Sequence, residues 1–192
     1  MISFDLNNYV VVDNFITKEQ ATSLWKTFAN DIQNNPSYFE YDDQCPNSPC
    51  SYNYLPFLEL LCEKTPEVTK AIGQTVLPTY CYARLYKNGE ILRPHTDRPS
   101  CETSLTVHLG GDKDWAIWVT KPNGEEVSIT LQPGQAVIYK GMISRHWREA
   151  FQGTEYAQVF LHYVKSRQEN AEYYFDRINT ALEYKKTLKD IE

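Results

Sequence analysis

Leu131-Gln132-Pro133-Gly134-Gln135-Ala136-Val137-Ile138-Tyr139 is a Pro-Gly turn running into a short apolar strand, and His146 follows seven residues later. A turn feeding a wholly apolar run of four residues is the pattern of a buried strand, and a histidine soon after it is what two facing strands of a small barrel place at a metal. The same texture extends in both directions. From Leu77 to Val164 short runs recur between Gly, Pro, Asn and Asp: Tyr80–Tyr86, Ser104–Leu109, Ala116–Val119, Val127–Leu131, Ala136–Tyr139 and Gln158–Val164. Their alternation and spacing predict antiparallel strands joined by turns, hence a mainly β barrel or sandwich with helices packed outside.

The flanks read differently. Residues 1–76 predict helical support: an opening strand at Tyr9–Val12, then a helix capped by Thr17 and Gln20 with Ala21, Leu24, Trp25 and Phe28 at helical spacing. Asn34 to Tyr54, rich in Asn, Asp, Pro, Ser and Tyr, reads as a long loop of the kind that forms a lid. Two helical pieces follow, Leu55–Cys62 and Pro66–Ile72, the second capped by Thr65. Residues 77–165 hold the strands, and 166–192 return to a helical pattern carrying Ala171, Tyr174, Phe175, Ile178 and Leu182. With 192 residues and 42% hydrophobic content, one domain is the expectation.

A net charge of −6 disfavours nucleic acid as a partner. No stretch is long and apolar enough to cross a bilayer, and the first residues lack the pattern of a signal peptide, so a cytoplasmic protein is expected. The five cysteines follow no framework spacing and suit a reducing compartment. Cys45 and Cys50 read as two loop thiols before they read as a pair that approach one another or that form a zinc site with a histidine.

The chemistry lies in Arg93-Pro94-His95-Thr96-Asp97-Arg98-Pro99. On an extended segment His95 and Asp97 point to the same side and can share one ion. Alone, a His-x-Asp pair is more often a polar turn. With His146 it makes two imidazoles and one carboxylate, which leave three positions of an octahedral ion open.

From Tyr80 to Val164 the order of these signals resembles the iron(II)- and 2-oxoglutarate-dependent dioxygenases, nearest in layout to the prolyl 4-hydroxylase-like branch. Pro122-Asn123-Gly124 and Pro133-Gly134 fall where that family's hairpins turn. The resemblance implies a double-stranded β-helix (jelly-roll) core in which His95, Asp97 and His146 hold iron, with 2-oxoglutarate and dioxygen as co-substrates and hydroxylation of a protein side chain, an amino acid or a small metabolite as the outcome. Asp97, where halogenases of this kind carry Gly or Ala, argues against halogenation.

One feature departs from the family. Its usual Arg or Lys, about ten residues beyond the distal His on the last core strand, is replaced by Gly153-Thr154-Glu155-Tyr156-Ala157-Gln158, and Glu155 there would repel a dicarboxylate. The anchor is therefore sought first at Arg148, two residues after His146, then at Arg84, which shares a strand face with Tyr82 and Tyr86, the latter also a co-substrate contact in the family pattern. Arg98 is a third choice that could grip the substrate instead, and for each arginine a structural ion pair, with Glu102 or Glu149, is the competing reading. His108 shares the interior face with Ser104 and Thr106 and reads first as a satisfied interior histidine, with a hydrogen bond to the co-substrate carboxylate as the competing reading. Trp115 and Trp118 read first as core, with Trp118 placed where a wall of the substrate pocket should run. His162 reads as a packed polar residue outside the metal site. The competing functional reading is a cupin-like jelly-roll module that holds a metal and catalyses nothing. The substrate's identity, small molecule or peptide, and the oligomeric state are not legible in the sequence.

Overall fold

The computed structural model describes residues 3–176. Two antiparallel sheets face one another. The larger has strand order β1 (Tyr9–Val12), β9 (Ala136–Tyr139), β6 (Thr103–Gly111), β11 (Glu155–Lys165), β4 (Val76–Lys87), β3 (Cys45–Tyr52) and β2 (Glu40–Asp42). The smaller runs β5 (Leu92–His95), β10 (His146–Arg148), β7 (Ile117–Thr120) and β8 (Glu126–Ile129). This is a jelly-roll core, and each of the six expected strands is present within a few residues of its expected bounds.

Strand alternation divides the large sheet into two unlike faces. Leu105, Val107 and Leu109 of β6, Ala157, Val159 and Leu161 of β11, and Cys81, Ala83 and Leu85 of β4 point outward. Against them pack α2 (Lys18–Asn34) and α3 (Leu55–Ile72), through Phe28, Phe57, Leu60 and Leu61 among others. A short helix, α1 (Ser3–Asn7), adds Phe4 to this layer. The opposite face, toward the small sheet, carries Tyr86, Arg84, Tyr156, Gln158, His108, Thr106 and Ser104, all buried. The larger hydrophobic cluster sits on the helix-covered side, while the side facing the small sheet mixes these polar groups with two smaller clusters, one around Tyr86 and Trp115 and one around Val137 and Ile117.

α2 begins as expected, with Thr17 accepting from the Gln20 backbone and the Gln20 side chain accepting from the Thr17 backbone. Two expectations are corrected. Leu55–Ile72 is a single helix with Pro66 inside it. Thr65 is no cap; its hydroxyl donates to the Leu61 carbonyl at 3.0 Å, and the flanking Leu61, Val68 and Ile72 are buried in the core, which holds the helix together where Pro66 lacks an N–H. The segment 34–54 is not a loop: after a 3₁₀ turn at Pro36–Tyr38 it forms β2 and β3, hydrogen-bonded to the edge of β4. Cys45 and Cys50 lie in β3 as buried free thiols facing the carbonyls of Ile91 and Glu40. Of the expected C-terminal helix, Glu169–Tyr173 is a 3₁₀ turn and 174–176 a further turn with Phe175 at φ 50, so the helix is not formed there; the rest, with Ile178 and Leu182, lies outside the described residues. No helix among the described residues is long and apolar enough to cross a membrane.

The joint between α2 and β6 is close. A Cβ added at Gly110 would meet the Trp25 ring at 2.0 Å. Gly110→Ala is therefore expected to force Trp25 out of its site and to destabilise the fold by about 1–3 kcal/mol, measurable as a lowered urea midpoint at unchanged slope.

Candidate metal centre

His95 and His146 are direct cross-strand partners on β5 and β10, so both imidazoles leave the small sheet on its inner face. Their ring centroids are 4.3 Å apart. Asp97, just past the end of β5, brings Oδ1 to 3.7 Å from His95 Nε2 and 3.5 Å from His146 Nε2. One ligand atom from each residue thus falls within 4.8 Å of the others, close enough to share one ion. The outer hydrogen bonds fix which atoms face inward. His95 Nδ1 lies 2.7 Å from the Arg93 carbonyl and His146 Nδ1 2.9 Å from that of Ser144, which leaves both Nε2 atoms for a metal.

Asp97 is held as firmly. Its backbone N–H donates to the Gly141 carbonyl at 2.8 Å, and its Oδ2 accepts from the Ser104 hydroxyl at 2.7 Å. Burial alone would raise its pKa, but His146 and Ser104 more than offset this and hold the carboxyl down at about 2. The imidazole of His95 is depressed by burial and by the neighbouring His146, which favours the neutral form that binds metal. A second grouping, Asp97 with Cys101 and His162, shares the carboxylate. Burial pushes the Cys101 thiol up to about 12, so it offers no thiolate at neutral pH, and the His95–Asp97–His146 set is the better ligand group.

Deeper between the sheets the polar residues are short of partners. Arg148 is 1% exposed; Nη1 donates to the Trp115 carbonyl, the guanidinium lies over the rings of Trp115 and Tyr156, and Nε and Nη2 meet nothing. Those two atoms form the side-on fork that binds a carboxylate bidentately. Arg84 is equally buried but committed: its Nη2 is bound to Asp42 and to the Tyr82 hydroxyl, which spoils its fork, leaving Nε and Nη1 as separate single donors. Nearby, the Tyr156 hydroxyl, the Thr106 hydroxyl, His108 Nδ1 and both amide atoms of Gln158 are also buried without partners. His108 stacks on Tyr156 at 4.2 Å and is lowered to about 4 by burial and by Arg148. Tyr86 packs on Trp115, and burial pushes its hydroxyl up to about 12. Glu155 does not face this chamber. It pairs with Lys87 at 3.1 Å at the partly exposed start of β11, so the expected repulsion of a dicarboxylate does not arise; the inward positions of that strand are Tyr156, Gln158, Phe160 and His162.

Above the triad opens a cleft of about 280 Å³. Much of the rest of its lining is aromatic: Tyr52, Tyr80, Tyr82, Phe160 and His162 from β3, β4 and β11. Arg98 lines the cleft over Tyr80 and is paired at 2.9 Å with Asp176, rather than with Glu102 or Glu149. Trp118 is corrected: it stacks on its cross-strand partner Trp147, on the face of the small sheet opposite His146, and does not line the cleft. Trp115 is core, as its first reading had it. Sequence reasoning missed Asp42, Ser104 and Gly141 and gave His162 no part here. Asp42 was hidden in the supposed loop, and the other three reveal themselves only through contacts distant in sequence.

A Cβ at Gly141 would fall 2.4 Å from Asp97 Oδ2 and 2.2 Å from the Cys101 carbonyl. Gly141→Ala is expected to displace Asp97 and weaken manganese(II) binding by about tenfold or more, read by titration calorimetry. The buried imidazoles give a pH signature. His108 and His162 are both lowered to about 4 from an ordinary 6.5, so the unfolded chain takes up protons that the folded one refuses. Their contribution to stability is full above pH 6.5 and drains away as pH falls toward 4. Urea unfolding of the metal-free protein at pH 7, 5.5 and 4 should show that progressive loss.

No family model and no curated protein matches the sequence. Solved structures do. The fold is similar to a Pseudomonas putida prolyl-4-hydroxylase, at 12% identity over 84% of this chain and 95% of that one, with a TM-score of 0.68. It is similar to a Trichoplax adhaerens prolyl hydroxylase in complex with a peptide fragment of the hypoxia inducible factor oxygen degradation domain, at 12% identity over 88% of each chain and a TM-score of 0.71. A third match, Streptomyces hygroscopicus HygX with nickel and 2-oxoglutarate bound, has 11% identity over 85% of each chain and a TM-score of 0.66. The chain has the jelly-roll fold shared by these prolyl hydroxylases and 2-oxoglutarate-binding proteins.

Proposed function

We propose that the protein is an iron(II)- and 2-oxoglutarate-dependent dioxygenase that hydroxylates an unactivated C–H bond of a small molecule or of a residue in a peptide. The observation that carries this reading is the placing of two features on one strand face. His146, which with His95 and Asp97 makes a set of two imidazoles and one carboxylate, and Arg148, a buried arginine with an open carboxylate fork, lie two residues apart on β10 and so leave it on the same side. A module that only held a metal would have no use for Arg148, because a guanidinium so buried without an anion costs several kcal/mol.

The residues present fit the two groups. His95 and His146 through Nε2 and Asp97 through Oδ1 would hold iron and leave one face open. Arg148 would take the distal carboxylate of 2-oxoglutarate, with the Tyr156 hydroxyl and Gln158 as further donors, which satisfies atoms otherwise orphaned. Iron with 2-oxoglutarate and dioxygen supplies the oxidising power; the protein's share is placement and exclusion of water. Tyr139 and Tyr86, both buried, line the cleft beside the triad and help to exclude water from it. The aromatic residues and the triad line the same cleft, so a substrate seated on those rings would lie beside the ion that His95, Asp97 and His146 would hold. The printed complex of the Trichoplax enzyme with a peptide supports keeping a peptide among the candidate substrates. Five free thiols suit action in a reducing, cytoplasmic compartment.

Anaerobic addition of iron(II) and 2-oxoglutarate should produce a weak visible charge-transfer band. His95→Ala is expected to abolish it, and its absence in the wild type would sink the proposal. Arg148→Ala should keep iron binding but raise the 2-oxoglutarate concentration needed for half-maximal band intensity by 30-fold or more, corresponding to roughly 2 kcal/mol or more for a buried charge pair left incomplete. Arg84→Ala would lower stability through Asp42 with a smaller effect on that titration.

A further inference from the structure

The two histidine ligands are each oriented by a backbone carbonyl two residues earlier, whereas the carboxylate ligand depends on side chains alone for its outer oxygen. Asp97 Oδ2 lies 2.7 Å from Ser104 Oγ, and Ser104 Oγ lies 2.9 Å from His162 Nδ1. Ser104 has one proton. Of its two acceptors, Asp97 Oδ2 at 2.7 Å is nearer and charged, while the Cys101 carbonyl is at 3.1 Å. A hydroxyl that gives its proton to Asp97 turns a lone pair to His162, which must then be the Nδ1–H tautomer and donate. His162 is not free to swing: its ring lies 4.5 Å from Tyr80 on one side and parallel to Phe160 at 6.4 Å on the other, in the aromatic wall. Ser104 and His162 are direct partners on β6 and β11, so the two outer groups stand on a rigid sheet rather than on a loop.

Resting on the metal-centre reading above, we propose that Ser104 and His162 form a hydrogen-bond chain that holds Asp97 as a one-oxygen ligand, Oδ1 to the metal and Oδ2 to Ser104. Both are positioning residues: neither is in the ligand set, and both act through Asp97. Holding Oδ2 away from the ion keeps the carboxylate from chelating through both oxygens, and so keeps open a coordination position that the reaction requires. Gly141 closes the arrangement from the other side, since a Cβ there would meet Asp97 Oδ2 and Ser104 Oγ alike. His162 also links the ligand to the substrate wall, because the same ring that donates to Ser104 lines the cleft.

The test uses cobalt(II) as a spectroscopic probe in the purified full chain, without 2-oxoglutarate or oxygen. Ser104→Ala and His162→Phe should each weaken cobalt(II) binding by about 10–100-fold and intensify or shift its visible d–d bands as Asp97 turns to chelate. Ser104→Thr should restore both properties, and so should His162→Asn, whose amide N–H stands near the position of Nδ1. His162→Gln, whose amide reaches the position of Nε2 instead, should not. Thermal unfolding of each metal-free variant separates loss of fold from loss of orientation. Wild-type affinity and spectrum in His162→Phe, or no rescue by His162→Asn in a protein as stable as the wild type, would overturn the chain. Failure of the wild type itself to bind cobalt(II) would overturn the metal centre and this inference with it.

Discussion

The pairing of β5 with β10 is the constraint on which the rest depends. Because His95 and His146 are opposite one another in an antiparallel ladder, their side chains share a face and stand within one ion's reach without any help from loop conformation. Asp97 needs only to turn inward just beyond the strand, and the hydrogen bond from its backbone to Gly141 sees to that. Bringing two imidazoles and a carboxylate together costs desolvation, and for Asp97 that cost is more than offset by His146 and by the hydrogen bond from Ser104, which hold its carboxyl down. The site is thus preorganised for an ion by the same hydrogen bonds that make the small sheet.

The large sheet makes such a site tolerable. Its helix-covered face carries the apolar burial, through Phe28, Phe57, Leu105, Val107, Val159 and Leu161, so its inner face can be given over to polar groups. That division has a cost. A buried polar atom without a partner loses about 1–3 kcal/mol, and the chamber around Arg148 holds several. Against a net stability of about 5–15 kcal/mol for a domain, so many orphans are not sustainable in a dry cavity. Water or an anionic ligand must satisfy them, and the geometry of the Arg148 fork favours a carboxylate.

Much of this was legible in the sequence because strand parity is a strong rule. The face shared by Tyr82, Arg84 and Tyr86, the inward direction of His108 and the common side of His95 and Asp97 all follow from a period of two. What failed were readings that needed register or distant partners. Trp118 has the parity of its partner Trp147, not of His146, and only the β7–β10 register reveals that. Residues 40–52 lack apolar alternation because Pro46, Asn47 and Pro49 interrupt β3, a strand held by pairing with β4 rather than by its own propensity. Pro66 suggested a helix boundary that core packing overrides. Asp42, more than forty residues before Arg84, decides that arginine's role.

With Arg84 committed to Asp42, the proposed anchor for a carboxylate is Arg148 on β10 rather than a residue of β11. Of the inward positions on β11, Tyr156, Gln158 and Phe160 carry no charge, and burial lowers the His162 imidazole to about 4. Arg148 stands on the same strand as His146, two residues on. In the β5–β10 pairing His146 opposes His95 and Arg148 opposes Leu92, so the extra residue lies on β5 and β10 itself stays regular. A regular strand advances about 3.3 Å per residue, which puts about 6.6 Å between the backbone positions of metal ligand and guanidinium. On the proposed reading one short strand would set both ends of a dicarboxylate, His146 near one and Arg148 near the other, and the fork of Arg148 would need no movement of β11 to meet it.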